Sequence, residues 1–224
     1  MKSLKNWLLV LSVLCCFGCS SSVHEDGKGC AFVSDSIQYR VEFMSEGCVR
    51  ILSFPEGDTL VTKRLVVDSQ KPAFKDYKWK DTGQQLIFST RELSVAFDKE
   101  DAAFTFQEVS TGKLLLKEKE AKKARHFKRS VAGGEQCLEV TQRFVPTDDE
   151  AIYGLGQYQN GIMNYRGKSV LLLQANMDIV NPFLISTNGY GILWDNYSST
   201  KFEDTEEGYS FTSEVGDASD YYFV

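Results

Sequence analysis

The sequence predicts an all-β fold, an antiparallel β-sandwich, on three observations. Apolar and polar residues alternate with a period of two through 36–43 (SIQYRVEF), 49–54 (VRILSF), 93–98 (LSVAFD) and 104–109 (FTFQEV), the pattern of strands with one buried and one solvated face. Gly, Asp, Ser and Pro bound most of these runs and recur at the spacing of sandwich turns. The one helix-like stretch, 117–129 (KEKEAKKARHFKR), has almost no apolar stripe, so a charged loop or a single turn is expected there.

Taken in order, the chain opens with an export signal over 1–18. Lys2 and Lys5 precede an apolar run, 7–14 (WLLVLSVL), well short of the roughly 20 residues that span a bilayer. The stretch 16–22 (CFGCSSS) looks like a bacterial lipobox, in which a small residue precedes the cysteine whose thiol is diacylated. Lipidation is therefore expected at Cys19, with ordinary secretory cleavage as the alternative, because Cys16 stands where Leu is usual. Residues 19–30 read as a polar tether and 31–224 as one domain held at a bacterial cell envelope by that anchor. Beyond the four alternating runs, strands are expected at 60–67, 85–89, 113–116, 138–145, 169–174, 183–186, 191–194, 209–214 and 221–224.

A chain of 224 residues, 42% hydrophobic and 12% aromatic, can bury one sizeable core. A (β/α)8 barrel alone takes about 250 residues, so the chain cannot hold a sandwich and a barrel together. The formal charge of −6, with both signs interspersed, leaves no basic face for nucleic acid, and membrane contact is expected through the lipid anchor only. Cys30, Cys48 and Cys137 remain after the signal, an odd number without a C-x-x-C pair, so one disulfide and buried thiols both fit. His126 is the one histidine outside the tether, and neither a metal site nor a cofactor is expected.

The chemistry concentrates in 151–197. Tyr153-Gly154-Leu155-Gly156 lacks the third glycine and the following helix of a dinucleotide fingerprint, and by itself reads as a glycine-rich β-turn. In 174–178 (QANMD) a polar turn interrupts two apolar strands, and Pro182 fixes the chain as it re-enters the sheet. Taken alone, Asp178 is a turn or cap residue. The stretch 189–196 (GYGILWDN) is a hairpin turn leading into a strand that ends at Trp194, a core residue by its apolar setting, although a Trp-Asp pair can also serve as a sugar platform.

As a package these motifs resemble the end of the N-terminal domain in the retaining α-glycosidases of glycoside hydrolase family 31, notably the α-xylosidase and α-glucosidase branch. The resemblance implies a galactose mutarotase-like supersandwich, with the family's catalytic barrel expected to begin beyond Val224 and so to be missing here. It also implies that the loop at 157–160 approaches the barrel mouth. An Asn-x-Asp loop in such enzymes reaches the −1 sugar subsite, which places sugar contact on Asp178 with Asn176 in support. The implied partner is an α-xyloside or α-glucoside oligosaccharide from plant or dietary glycans.

Retaining glycoside hydrolysis needs two carboxyl groups about 5–5.5 Å apart. In the family both are barrel aspartates, and no residue here matches them. The acidic clusters at 148–150 and 203–207 read as solvated loops, so no catalytic residue is assigned. The expectation is a subsite-contributing domain of a glycosidase, inactive alone. The alternative is a non-catalytic, lipid-anchored carbohydrate-binding surface protein. A mutarotase-type epimerase, which relies on histidine and glutamate, is set aside with His126 as the sole candidate.

Overall fold

The computed structural model describes residues 22–58, 60, 65–68, 73–120 and 125–224. Among these are eighteen strands and no helix. In chain order they are β1 (His24–Asp26), β2 (Gly29–Ser34), β3 (Ile37–Phe43), β4 (Val49–Pro55), β5 (Lys78–Asp81) and β6 (Gln85–Ser89). Next come β7 (Leu93–Asp98), β8 (Ala103–Glu108), β9 (Leu114–Glu118), β10 (Arg125–Ala132), β11 (Glu135–Val145) and β12 (Ile152–Gln157). The last six are β13 (Ser169–Leu172), β14 (Ile179–Ser186), β15 (Tyr190–Trp194), β16 (Thr200–Thr205), β17 (Gly208–Gly216) and β18 (Ser219–Phe223).

The strands form the two antiparallel sheets of a sandwich. One has eight strands in the order β1-β2-β3-β4-β18-β15-β14-β12. The other has ten, β13-β16-β17-β11-β9-β8-β7-β6-β5, with β10 also paired to β11. The four runs read from alternation fall on β3, β4, β7 and β8. In β7 the burial alternates strictly, with Leu93, Val95 and Phe97 inward.

Between the sheets lies an aromatic core. Phe106 stacks on Phe223 at 4.4 Å between ring centroids, Phe32 meets Phe97 edge-on at 4.8 Å, and Phe144 meets Tyr221 edge-on at 5.1 Å. Such pairs add about 0.5–1.5 kcal/mol each beyond their area burial. Within this apolar space sits one ion pair. Glu118 is fully buried and accepts from the Phe104 amide at 2.8 Å, the Tyr221 hydroxyl at 2.9 Å and the Arg125 guanidinium. Arg125 also donates to the Tyr39 hydroxyl at 3.1 Å and the Ala102 carbonyl at 2.7 Å. A second buried cation, Arg50 of β4, donates to Asp220 of β18 at 2.7 Å and to Glu42 at 2.9 Å.

The structure corrects several expectations. Both ends of the charged stretch 117–129 are strand where a loop is expected: β9 ends in it at Glu118, and β10 runs from Arg125 to pair with β11 along its whole length, Arg125↔Gln142 to Ala132↔Glu135, while 121–124 lie outside the described residues. The hairpin turn is Gly133-Gly134, both left-handed with φ of 59° and 88°, as the twist of a tight hairpin requires. His126 lies exposed on β10. Part of the stretch 19–30, expected to be a polar tether, is strand: β1 pairs with β2, and the Asp26 carboxylate accepts the Lys28 and Gly29 amides at 2.8 and 3.2 Å. For the strand expected at 60–67, residues 61–64 lie outside the described residues, and Leu60 and 65–67 carry no strand. The signal segment 1–18 and Cys19 also lie outside them. No disulfide joins Cys30, Cys48 and Cys137, and Cys30 is buried in β2.

Candidate functional site

The Tyr-Gly-Leu-Gly segment is not a turn but the body of β12, the last strand of the eight-stranded sheet. It pairs with β14 as Gly154↔Leu184 and then, after an irregularity, as Gly156↔Val180 and Gln157↔Ile179. Through that irregularity Gly154, Leu155 and Gly156 all have positive φ, at 100°, 64° and 122°, and Leu155 turns into the core, fully buried. Glycine is required on either side of it. A Cβ on Gly154 would lie 2.5 Å from the Phe183 carbonyl oxygen, and one on Gly156 would lie 2.1 Å from that of Ile179. The outer edge of β12 is capped, since Tyr165 N–H donates to Ile152 O at 2.8 Å and the Tyr158 hydroxyl to Leu155 O at 3.0 Å.

The second motif, 174–178, is a tight turn on the connection from β13 of the ten-stranded sheet to β14 of the eight-stranded one. The Asp178 amide donates to the Ala175 carbonyl at 3.3 Å, the two residues form an isolated bridge, and Met177 closes the turn with φ of 69°. Asn176 is exposed at the tip and Asp178 is half-buried at its base. Within the described residues the Asp178 carboxylate accepts no hydrogen bond.

Register unites the two motifs. Pairing of Gln157 with Ile179 sets Tyr158 and Asp178 beside each other at one end of the sandwich. The Tyr158 phenol is pushed up to about 12, first by burial, then by the charges of Tyr165 and Asp178. Tyr158 was not marked as a site residue from the sequence, because its nearness to Asp178 depends on this pairing. The surface around the pair mixes exposed amide side chains, Gln157, Asn160 and Asn176, with two exposed apolar ones, Met177 at 67% and Ile179 at 57%.

Trp194 is fully buried, stacked on Phe211 at 5.5 Å with Nε1 donating to Ser213 Oγ at 2.9 Å, so it is core and not a sugar platform. The acidic clusters are not simply solvated loops either. Glu150 is buried and accepts from the Tyr190 hydroxyl and the Thr147 amide, while Asp204 in β16 accepts from Arg166 Nε and Gly167 N–H at 2.8 and 2.7 Å. Both carboxylates hold neighbouring loops in place.

The profile of the glycosyl hydrolase 31 N-terminal galactose mutarotase-like domain matches residues 38–203. An α-xylosidase of Saccharolobus solfataricus is 31% identical in an alignment of 204 positions that covers 84% of this chain and 26% of that protein. Among solved structures, a GH31 α-xylosidase from Xanthomonas citri is 30% identical with a TM-score of 0.69, over 82% of this chain and 20% of its own. A GH31 α-xylosidase from a soil metagenome, complexed with xylose, is 22% identical and shares the fold with a TM-score of 0.76, over 91% of this chain and 32% of its own. The chain thus spans about a quarter of the length of such relatives. With the profile matched over most of its length, the chain belongs to the glycosyl hydrolase 31 N-terminal galactose mutarotase-like domain family.

Proposed function

We propose that this domain lends a sugar-contacting carboxylate, Asp178, to the active site of a retaining α-glycosidase that acts on α-xylosides or α-glucosides, with Asn176 in support. The observation that carries the reading is a half-buried carboxylate that accepts no hydrogen bond among the described residues, held where two family motifs meet. Two similar enzymes are α-xylosidases, one of them solved with xylose bound. The exposed apolar residues around the site give a catalytic barrel a surface to pack on. Nucleophile and acid come from that barrel, and this chain alone hydrolyses nothing.

Joined to a family barrel, the domain should lose at least about tenfold in kcat/KM on aryl α-xylosides when Asp178 becomes Ala. Charge-assisted hydrogen bonds to sugar hydroxyls contribute roughly 1.5–3 kcal/mol. Unchanged kinetics would return Asp178 to the role of turn former. Sugar binding by the domain alone, undiminished in Asp178→Ala, would favour the non-catalytic surface-binding protein.

The second part of the proposal is location at a bacterial cell envelope through a lipid on Cys19. Expressed with its own leader, the protein should partition into detergent and incorporate labelled palmitate. Cys19→Ser should do neither. Equal labelling of both forms overturns the anchor.

A further inference from the structure

The turn that presents Asp178 stands on a strand supported unequally. β15 pairs with β14 only over Phe183–Ser186, and Pro182 has no N–H to extend the ladder. The preceding residues of β14 therefore have β12 on one side and no strand on the other. The Ile179 carbonyl points towards β12, where a Cβ on Gly156 would strike it. Because backbone groups alternate along a strand, the Asp178 C=O and the Val180 N–H point to the unsupported side.

Gln174 fills that side. Its Nε2 donates to the Asp178 carbonyl at 2.6 Å, and its Oε1 accepts the Val180 amide at 3.1 Å. One carboxamide thus satisfies the two groups that flank Ile179, as a neighbouring strand would. Only one orientation of the amide does this, since its NH2 must face the carbonyl and its oxygen the N–H. The other polar contact found at the base of the turn, Asp178 N–H to Ala175 O, is long at 3.3 Å.

We infer that Gln174 is a positioning residue for Asp178, a side-chain rung that fixes the height and direction at which the carboxylate is offered to sugar. The inference rests on the sugar-contact reading of Asp178. Shortening the side chain frees both backbone groups to water and lets the turn sway about its β12 side, while the core beneath is untouched. The role belongs to the carboxamide as such, because a carboxylate of the same length keeps the acceptor for Val180 and loses the donor to Asp178. Below its ordinary pKa of about 4.3, a glutamic acid at this position regains that donor.

The test reads brace and sugar contact separately in the same chain. Amide hydrogen exchange at Val180 is measured without sugar, and the response of the 174–182 segment is then followed on titration with D-xylose. Gln174→Ala is expected to lower Val180 protection about tenfold and to weaken the xylose response by a similar factor, with the thermal midpoint held. In Gln174→Glu, protection should be poor at neutral pH and recover relative to the parent as pH falls through about 4. Asp178→Ala should lose the xylose response and keep Val180 protected. If Gln174→Ala leaves both protection and the xylose response unchanged while Asp178→Ala abolishes the response, the positioning role is overturned and the sugar contact stands. If the parent and Asp178→Ala respond alike to xylose, the sugar-contact reading fails, and the positioning role with it, whatever happens at Val180.

Discussion

Replacing Glu118 with Ala is expected to destabilise the domain by about 3–5 kcal/mol, which in a domain of this size lowers the thermal midpoint by roughly 10–15 °C. The cause is what the substitution leaves behind. Burial alone would lower the pKa of the Arg125 guanidinium, but the attraction and hydrogen bond of Glu118, joined by Tyr39 and Tyr221, together outweigh it and raise the pKa, keeping the cation stable between the sheets. Without the carboxylate the charge stays buried and uncompensated, and the Phe104 amide and the Tyr221 hydroxyl lose their acceptor. Removing both charges together, as Glu118→Met with Arg125→Met, should recover most of the loss, because two apolar side chains of similar length suit a core of phenylalanines. Thermal unfolding of the three proteins checks this. A Glu118→Ala protein melting with its parent would mean that the pair is not buried in the native state.

Gly156→Ala should also be severe. The backbone there has φ of +122°, a region that non-glycine residues adopt at a cost of about 1–3 kcal/mol, and the new methyl would press on the Ile179 carbonyl from 2.1 Å. Relieving such overpacking costs about as much again. Relief has one direction, which is separation of β12 from β14 at the pairing that sets Tyr158 beside Asp178. Loss of stability in denaturant melts should therefore come with faster exchange across 156–158 and 178–180. An equal substitution at Gly57, where a Cβ would meet nothing within 4 Å, gives the comparison for backbone strain without collision. If the two variants melt together, the collision at Gly156 contributes nothing.

How far the fold could be read from sequence depended on what covers each strand. Strands with one face in the core and one in water, such as β3 and β7, carry the period-two signal directly. The all-exposed β5 (Lys78–Asp81) does not, because charge and an edge position replace alternation. β10 was hidden for a related reason: the lysines and arginines around it suggest solvent, which is where one of its faces lies, while its Gly-Gly turn held the evidence for a hairpin. β16 alternates well in burial, yet its acidic residues favoured a loop reading, and Asp204 is in fact buried against Arg166. At the candidate site, family resemblance alone points to Asp178 and Asn176. Nothing local points to Tyr158 and Gln174, since their places beside Asp178 follow from a register that no local pattern records.

The position of β18 between β4 and β15 has a consequence in time. Among the described residues the strand comes last in chain order, yet it occupies the middle of its sheet, and the Arg50–Asp220 pair joins residues 170 positions apart. Until synthesis reaches it, the first four strands form a half-sheet whose β4 edge is open and whose Arg50 lacks one of its two counter-charges. Such a sheet stays unlocked until that strand is made and then closes late, slowed by the long loop that must come together.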